Sequence, residues 1–127
     1  MFKKEGKTWR IINDKENQQY PFVIGGPNWA IEISQNNWKD LYYLVQNLSK
    51  EYKCIEKNLM DDESILIELT RKTWWGCIKG FKNNWILKIV FSGDTGEKSD
   101  RGFEITWDKK GSQEFCNAMR KMWESNC

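Results

Sequence analysis

One long helical stripe in the middle of the chain constrains the fold more than any other feature. Its apolar residues recur at spacings of three and four without a break, at Trp38, Leu41, Val45, Leu48, Tyr52, Ile55 and Leu59. This spacing places them on one face of an α-helix, and Ser34 is its predicted N-cap. A helix over residues 35–60 would be about 38 Å long. Because that length exceeds the sheet of a small domain, we expect the helix to kink or to pack its far end on a second subunit.

Strand patterns lie on both sides of this helix. Two runs precede it, Thr8–Ile12 and Phe22–Ser34, and a predicted turn at Gly25–Asn28 divides the second run into two strands. Four runs follow it: Ser64–Thr70, Thr73–Phe81, Asn84–Ser92 and Arg101–Trp107. The connectors between the later runs are short and polar, which favours an antiparallel meander.

A second, shorter helix is predicted at the end of the chain, with Ser112 as its N-cap and Phe115, Met119 and Met122 as its apolar stripe. The sequence therefore predicts an α+β fold in a single domain of residues 1–127. Its antiparallel β-meander sheets and one long and one short helix would follow the order three strands, helix, four strands, helix.

The chain contains eight tryptophans and no histidine, and both counts bear on what it can do. The missing histidine removes the usual proton carrier at neutral pH and the commonest metal ligand. Four of the tryptophans fall in register with apolar stripes, which predicts that they are buried: Trp29, Trp38, Trp85 and Trp107. Trp9 and Trp123 follow no such pattern, and the sequence leaves their positions open.

Motifs for catalysis or metal binding are weak. Asp94-Thr95-Gly96 spells the aspartic-protease triplet, but it occurs once and its flanking residues differ, so we interpret it as a polar turn. Asp61-Asp62-Glu63 is interpreted as a solvated turn, since three contiguous acids cannot all face one cation. Glu32 and Glu68 could form an acid and base pair, although outward-facing strand positions explain them equally well. We therefore expect no enzyme, no catalytic residue, no cofactor and no metal.

The four cysteines bear on the compartment. Cys54, Cys77, Cys116 and Cys127 include no Cys-x-x-Cys pair, and no apolar leader follows Met1. No stretch approaches the roughly 18 apolar residues that a membrane-spanning helix needs. We therefore expect reduced thiols and a cytoplasmic protein.

A window without acidic residues, 69–93, is the strongest candidate for a binding surface. It carries five basic residues while the rest of the chain sums to −3, and it contains five aromatic residues. Lysines beside aromatic rings on a sheet can hold single-stranded nucleic acid. The candidate contacts are Arg71, Lys72, Trp74, Trp75, Lys79 and Lys82.

A core role explains the same window, and we favour it because exposed aromatic residues are rarer than buried ones. Sixteen of the twenty basic residues of the chain are lysine, which suits solvation better than phosphate recognition. Trp74 and Trp75 are neighbours on a predicted strand and must point to opposite faces. Exposure of one of them would favour the binding interpretation.

Several motifs resemble those of one protein family. They are the run Gly25-Gly26-Pro27-Asn28-Trp29-Ala30-Ile31-Glu32-Ile33, then Trp38 and Leu41, the run Leu59-Met60-Asp61-Asp62-Glu63, and the segment Gly6–Arg10. The chain thereby resembles an uncharacterised family of small cyanobacterial proteins, known as a domain of unknown function. The resemblance implies a fold similar to the Whirly class of single-stranded-DNA-binding regulators, whose strand sets and helices associate into helix-exchanging oligomers. It implies no activity, since fold likeness alone does not transfer function.

We accordingly expect a non-catalytic cytoplasmic binding module for another macromolecule that forms a homodimer. The predicted dimer contact is the far end of the helical stripe, at Tyr52, Ile55 and Leu59. The alternative is a single-stranded nucleic-acid-binding protein that uses the basic aromatic strand surface.

Overall fold

The chain folds into two successive units, each a four-stranded antiparallel sheet followed by a helix. The computed structural model describes residues 1–92 and 102–125. The first unit contains β1 (Phe2–Glu5), β2 (Arg10–Asn13), β3 (Phe22–Gly25), β4 (Ala30–Ile33) and helix α1 (Gln35–Glu56). The second contains β5 (Ile65–Arg71), β6 (Trp74–Phe81), β7 (Asn84–Phe91), β8 (Phe103–Thr106) and helix α2 (Lys109–Ser125). Within each sheet the strands pair in chain order, as a meander.

The predicted α+β class and both antiparallel meanders are confirmed, but the predicted strand count is too low by one. The missed strand, β1, pairs with β2 at the edge of the first sheet and contains two lysines and a glutamate. Such an edge strand lacks the alternation of a half-buried strand, since charges protect an exposed edge from pairing with other chains. Glu5 there forms an ion pair with Arg10 of β2, at 3.3 Å between Oε2 and Nε.

Helix α1 begins as predicted and ends earlier than predicted. The Ser34 hydroxyl accepts a hydrogen bond from the amide of Asn37, which confirms the N-cap. The helix ends at Glu56 rather than near residue 60, and turn-type bonds from the amides of Asn58 and Leu59 close it.

Both helices pack between the two sheets' inner faces, which joins the units into one core. Helix α1 follows the first sheet in the chain but packs mainly on β5 and β6 of the second. It approaches β6 closely at Gly76, where an added Cβ would lie 3.0 Å from Leu48 and 3.1 Å from Leu44. Helix α2 packs on β7 and also reaches β2 of the first sheet. The buried side chains of both units form one cluster.

The tryptophans divide between core and surface. Trp38, Trp85 and Trp107 are buried as predicted. Trp29 is 37% exposed, which corrects its predicted core position, because it lies in the β3–β4 turn and not on the strand. Trp9 is buried, with its indole nitrogen donating to the carboxylate of Glu114.

The predicted cap of the second helix is wrong. Helix α2 begins at Lys109, and the Asp108 carboxylate accepts from the amide of Gly111 at 2.7 Å. Ser112 lies inside the helix and is fully buried. Its hydroxyl accepts from the amide of Leu87 at 2.8 Å and donates to the carbonyl of Trp107 at 3.2 Å. Ser112 therefore connects the helix to the second sheet.

The described cysteines are unpaired thiols. Cys54 is exposed, whereas Cys77 and Cys116 are buried. Burial raises the pKa of the Cys116 thiol to about 12, against the lowering effect of Lys53 and Arg120. Since the thiolate is the reactive form, Cys116 is chemically inert near neutral pH. None of the helices in residues 1–92 and 102–125 is long and apolar enough to cross a membrane.

Candidate interaction surface

The six candidate binding residues do not form one cluster. Arg71 and Lys72 lie at the β5–β6 hairpin, at one end of the second sheet, while Lys79 and Lys82 lie toward the β6–β7 hairpin at the other. Strand β6, eight residues long, separates these ends by roughly 25 Å. Only a strand of several nucleotides could reach both groups, and the assignment of these residues to one binding surface stays a prediction.

Acidic residues outside the window neutralise part of its charge. Asp40 of helix α1 pairs with Arg71 at 3.3 Å and with Lys72 at 3.9 Å. The Arg71 guanidinium also lies over the Tyr43 ring, 4.9 Å from its centroid. On the other face of the sheet, Lys88 pairs with Glu104 at 3.0 Å. The positive charge of the window is therefore reduced in three dimensions, from five basic residues to a net of +3 when Asp40 and Glu104 are included.

Trp74 and Trp75 point to opposite faces of the sheet, as predicted for strand neighbours. Trp74 lies on the inner face, is 1% exposed and donates its indole N–H to the carbonyl of Asn37 at 2.9 Å. It cannot stack on a nucleic-acid base in this position, which corrects its assignment as a binding residue. Trp75 lies half-buried on the outer face, with the Lys88 ammonium 5.9 Å from its ring centroid.

The three predicted dimer-contact residues differ in how deeply they are buried. Tyr52 is 1% exposed and donates its hydroxyl to the carbonyl of Phe81 at 2.7 Å. Burial raises the pKa of the Tyr52 phenol, and the nearby Glu56 charge raises it further. Tyr52 therefore belongs to the core, which corrects its assignment as a contact. Ile55 is exposed and Leu59 is half-buried, so the stripe leaves the core near its last turn.

Several exposed apolar side chains lie on the segments that meet where helix α1 ends, with Leu66 and Phe81 on the outer face of the second sheet. Ile55 and Met60 are 37% and 68% exposed, and Leu66 and Phe81 are 53% and 43% exposed. We call the set Ile55, Leu59, Met60, Leu66 and Phe81 the apolar end.

The apolar end is held together by contacts between the helix and the hairpin. The Tyr52–Phe81 hydrogen bond ties the last turns of α1 to the end of β6. The Glu56 carboxylate accepts from the amide of Asn83 at 2.7 Å, which fixes the β6–β7 hairpin beside the helix terminus. The helical stripe predicted Ile55 and Leu59 as surface contacts. Leu66 and Phe81 were not predicted, although each alternates with inward-facing neighbours along its strand.

The acidic residues that the sequence offered for catalysis or metal binding do not come together in the structure. Glu32 lies on the first sheet and Glu68 on the second, both exposed, and Glu32 accepts from the Asn17 side-chain amide at 3.2 Å. Glu63 closes its own turn by accepting from the amide of Met60. The Asp94–Gly96 triplet lies outside the described residues. Within residues 1–92 and 102–125, no three acidic, cysteine or histidine side chains lie close enough together to hold a metal ion.

Comparison with known proteins identifies the family. The model of a domain of unknown function, DUF1818, matches residues 4–122. The chain belongs to this family. It is also similar to a crystal structure of a protein of unknown function from the cyanobacterium Prochlorococcus sp. NATL2A, with 38% sequence identity and a TM-score of 0.88. That match covers 97% of this chain and 99% of the other. No curated protein matches the chain.

The family assignment agrees with the expected kinship to a domain of unknown function, and the Prochlorococcus relative is cyanobacterial, as the motifs indicated. A TM-score of 0.88 over nearly the full length means that the two chains share the arrangement of both sheets and both helices.

Proposed function

We propose that the protein is a single-domain, non-catalytic binding module of the cytoplasm that acts as a homodimer, joined through the apolar end. The observation that carries this proposal is the exposure of Ile55, Met60, Leu66 and Phe81 on segments that meet where helix α1 ends. Scattered exposed apolar residues are ordinary, whereas several on adjoining segments favour an interaction site.

A second copy of the chain suits the charges around the apolar end. A two-fold interface must be complementary to itself. Exposed residues of both signs border this surface, with Lys57 and Lys82 beside Asp61, Asp62 and Glu63. A two-fold axis can bring the lysines of one copy to the acids of the other. A polyanion would instead meet the three contiguous acids and be repelled.

The Whirly-like fold is part of the same proposal. Two features support it: each unit has four meander strands followed by a helix, and each helix contacts the other unit's sheet. Because both helices find these partners within one chain, we propose that the dimer forms at the apolar end and not by helix exchange.

Sedimentation equilibrium tests the dimer. We expect the wild-type chain to dimerise at micromolar concentrations. The double substitution Leu66→Ser with Phe81→Ser should weaken dimerisation about tenfold or more, since it removes two apolar contacts. Trp29→Ser is the matched control, because Trp29 is similarly exposed but lies on the first unit. A wild-type chain that stays monomeric throughout the micromolar range contradicts the proposal.

A second candidate function is single-stranded nucleic-acid binding, favoured by one observation. Trp75 and Lys79 both lie on the outer face of the second sheet, which neither helix covers. A base stacked on Trp75 would quench its fluorescence, and the affinity would fall steeply as salt rises.

Titration with a single-stranded oligonucleotide at low salt tests this candidate. Binding should be weakened by Trp75→Leu and by Lys79→Gln, and left unchanged by Lys50→Gln on the exposed side of helix α1. A titration that leaves the tryptophan fluorescence flat excludes the candidate without bearing on the dimer.

A further inference from the structure

A cavity of about 710 Å³ lies between the first unit and helix α2, at the N-terminal end of helix α1 and so at the opposite end of that helix from the apolar end. Its walls come from the β2–β3 connection, the first turns of helix α1 and the last turn of helix α2. Small-molecule sites usually occupy roughly 300–1,000 Å³. The size therefore suits one small ligand and not a polymer.

Aromatic rings form much of the cavity lining. Trp38 and Phe22 stack face to face at 4.7 Å and are both buried. Tyr43 and Trp123 are half-buried and meet edge to face at 5.5 Å. Phe22 and Trp38 form a buried wall, and Trp123 also stacks on Tyr42 with 4.1 Å between centroids. The half-buried rings of Tyr43 and Trp123 provide the accessible apolar surface against which a planar heteroaromatic ring can pack.

Amide side chains supply the polar part of the lining, chiefly Asn13, Gln18 and Gln35. Asn13 is only 4% exposed, and it lines the cavity beside the two glutamines. An amide both donates and accepts, which matches the edge of a nucleobase.

The charge of the cavity lining is positive. Lys15 and Lys39 line it, and no acidic residue does. Gln35 is the first residue of helix α1, whose first turn contains no acid, so the positive end of the helix dipole adds to the two ammonium groups. Asp40, the nearest acid on the helix, is paired with Arg71.

The β2–β3 connection is ordered by its own hydrogen bonds. The Asp14 carboxylate accepts from the amide of Glu16 at 3.1 Å, and the Asn17 side chain accepts from the amide of Tyr20 at 3.0 Å. The amide of Asp14 bonds to the carbonyl of Pro21 at 2.7 Å. This wall is therefore preformed, which reduces the entropy cost of binding.

We propose that this cavity binds a nucleoside monophosphate. The base packs against Tyr43 and Trp123 and hydrogen-bonds to the amides of the lining, while the phosphate pairs with Lys15 and Lys39. Each part of the ligand has a complementary group in the protein. The base ring faces aromatic side chains, the polar edge of the base faces amide side chains, and the phosphate faces lysine ammonium groups. This site is independent of the dimer and lies away from the outer face of the second sheet.

Isothermal titration calorimetry of the full chain with AMP, GMP, CMP and UMP tests the proposal. We expect at least one to bind with a micromolar Kd. The nucleoside of that mononucleotide lacks the phosphate, and ribose 5-phosphate lacks the base. Each should therefore bind at least about tenfold more weakly than the mononucleotide. An oligonucleotide that binds more tightly than every mononucleotide would overturn the assignment to a free nucleotide.

Matched substitutions locate the site. Lys39→Gln should weaken binding about fivefold to tenfold, whereas Lys50→Gln on the same helix should leave it unchanged. Trp123→Ala should weaken it about tenfold, whereas Trp29→Ala should not. Failure of all four mononucleotides at millimolar concentration overturns the proposal. The proposal is also overturned if a mononucleotide binds equally well to the wild type, to Lys39→Gln and to Trp123→Ala.

Discussion

Trp74→Ala is expected to lower the free energy of unfolding by about 3–5 kcal/mol, the range for removing a fully buried tryptophan. The Trp74 ring packs 4.6 Å from Phe91 and 5.9 Å from Phe103, between centroids. Its truncation leaves a large cavity between the second sheet and helix α1. It also leaves the carbonyl of Asn37 without the indole donor at 2.9 Å.

Trp75→Ala is the matched control for this prediction, because it removes the same side chain from the next position of the same strand. Trp75 is half-buried on the outer face, so we expect a loss of only about 1 kcal/mol. Urea unfolding followed by circular dichroism measures both variants without relying on tryptophan fluorescence. Equal losses for the two variants would contradict the assignment of Trp74 to the core.

Local patterns were sufficient to predict most of the second unit. The predicted run Thr73–Phe81 and the observed β6 (Trp74–Phe81) differ by one residue, since tight polar hairpins bound the strand on both sides. The buried part of the helical stripe, from Trp38 to Tyr52, also follows from its spacing. Both features depend on residues that are near one another in the chain.

The repeated arrangement of four strands and a helix was not predicted, although one short segment of each unit is similar. Ala30-Ile31-Glu32-Ile33-Ser34 and Gly102-Phe103-Glu104-Ile105-Thr106 span the last strand of each sheet and one flanking residue. In both, the glutamate is exposed and the following isoleucine is buried. Elsewhere the two units differ, since the first sheet has four short strands and the second has three long ones.

The candidate surfaces depend on contacts between distant segments, which explains why sequence analysis located them only in part. Asp40 pairs with both Arg71 and Lys72 from a helix about thirty residues earlier and offsets one of their two charges, so charge counted along a window overstates the charge of the folded surface. The nucleotide cavity combines Asn13, Lys39 and Trp123 from three elements. No local pattern connects these residues.

Ser112→Ala is expected to lower the free energy of unfolding by about 2–3 kcal/mol, more than the loss of a helix cap. The Ser112 hydroxyl is fully buried and satisfies the amide of Leu87 and the carbonyl of Trp107 at the same time. Alanine fits the space but leaves both backbone groups without this partner, and a buried polar group without a hydrogen bond costs about 1–3 kcal/mol.

Ser34→Ala is the control for this prediction, because Ser34 is the observed cap of helix α1 and its removal should cost only about 1 kcal/mol. Hydrogen exchange adds a local readout, since Ser112→Ala should reduce the protection of the Leu87 amide and Ser34→Ala should not. If the two substitutions cost the same and leave Leu87 equally protected, then Ser112 does not connect α2 to β7. A larger cost with selective loss of Leu87 protection would establish that one buried hydroxyl joins the second helix to the second sheet.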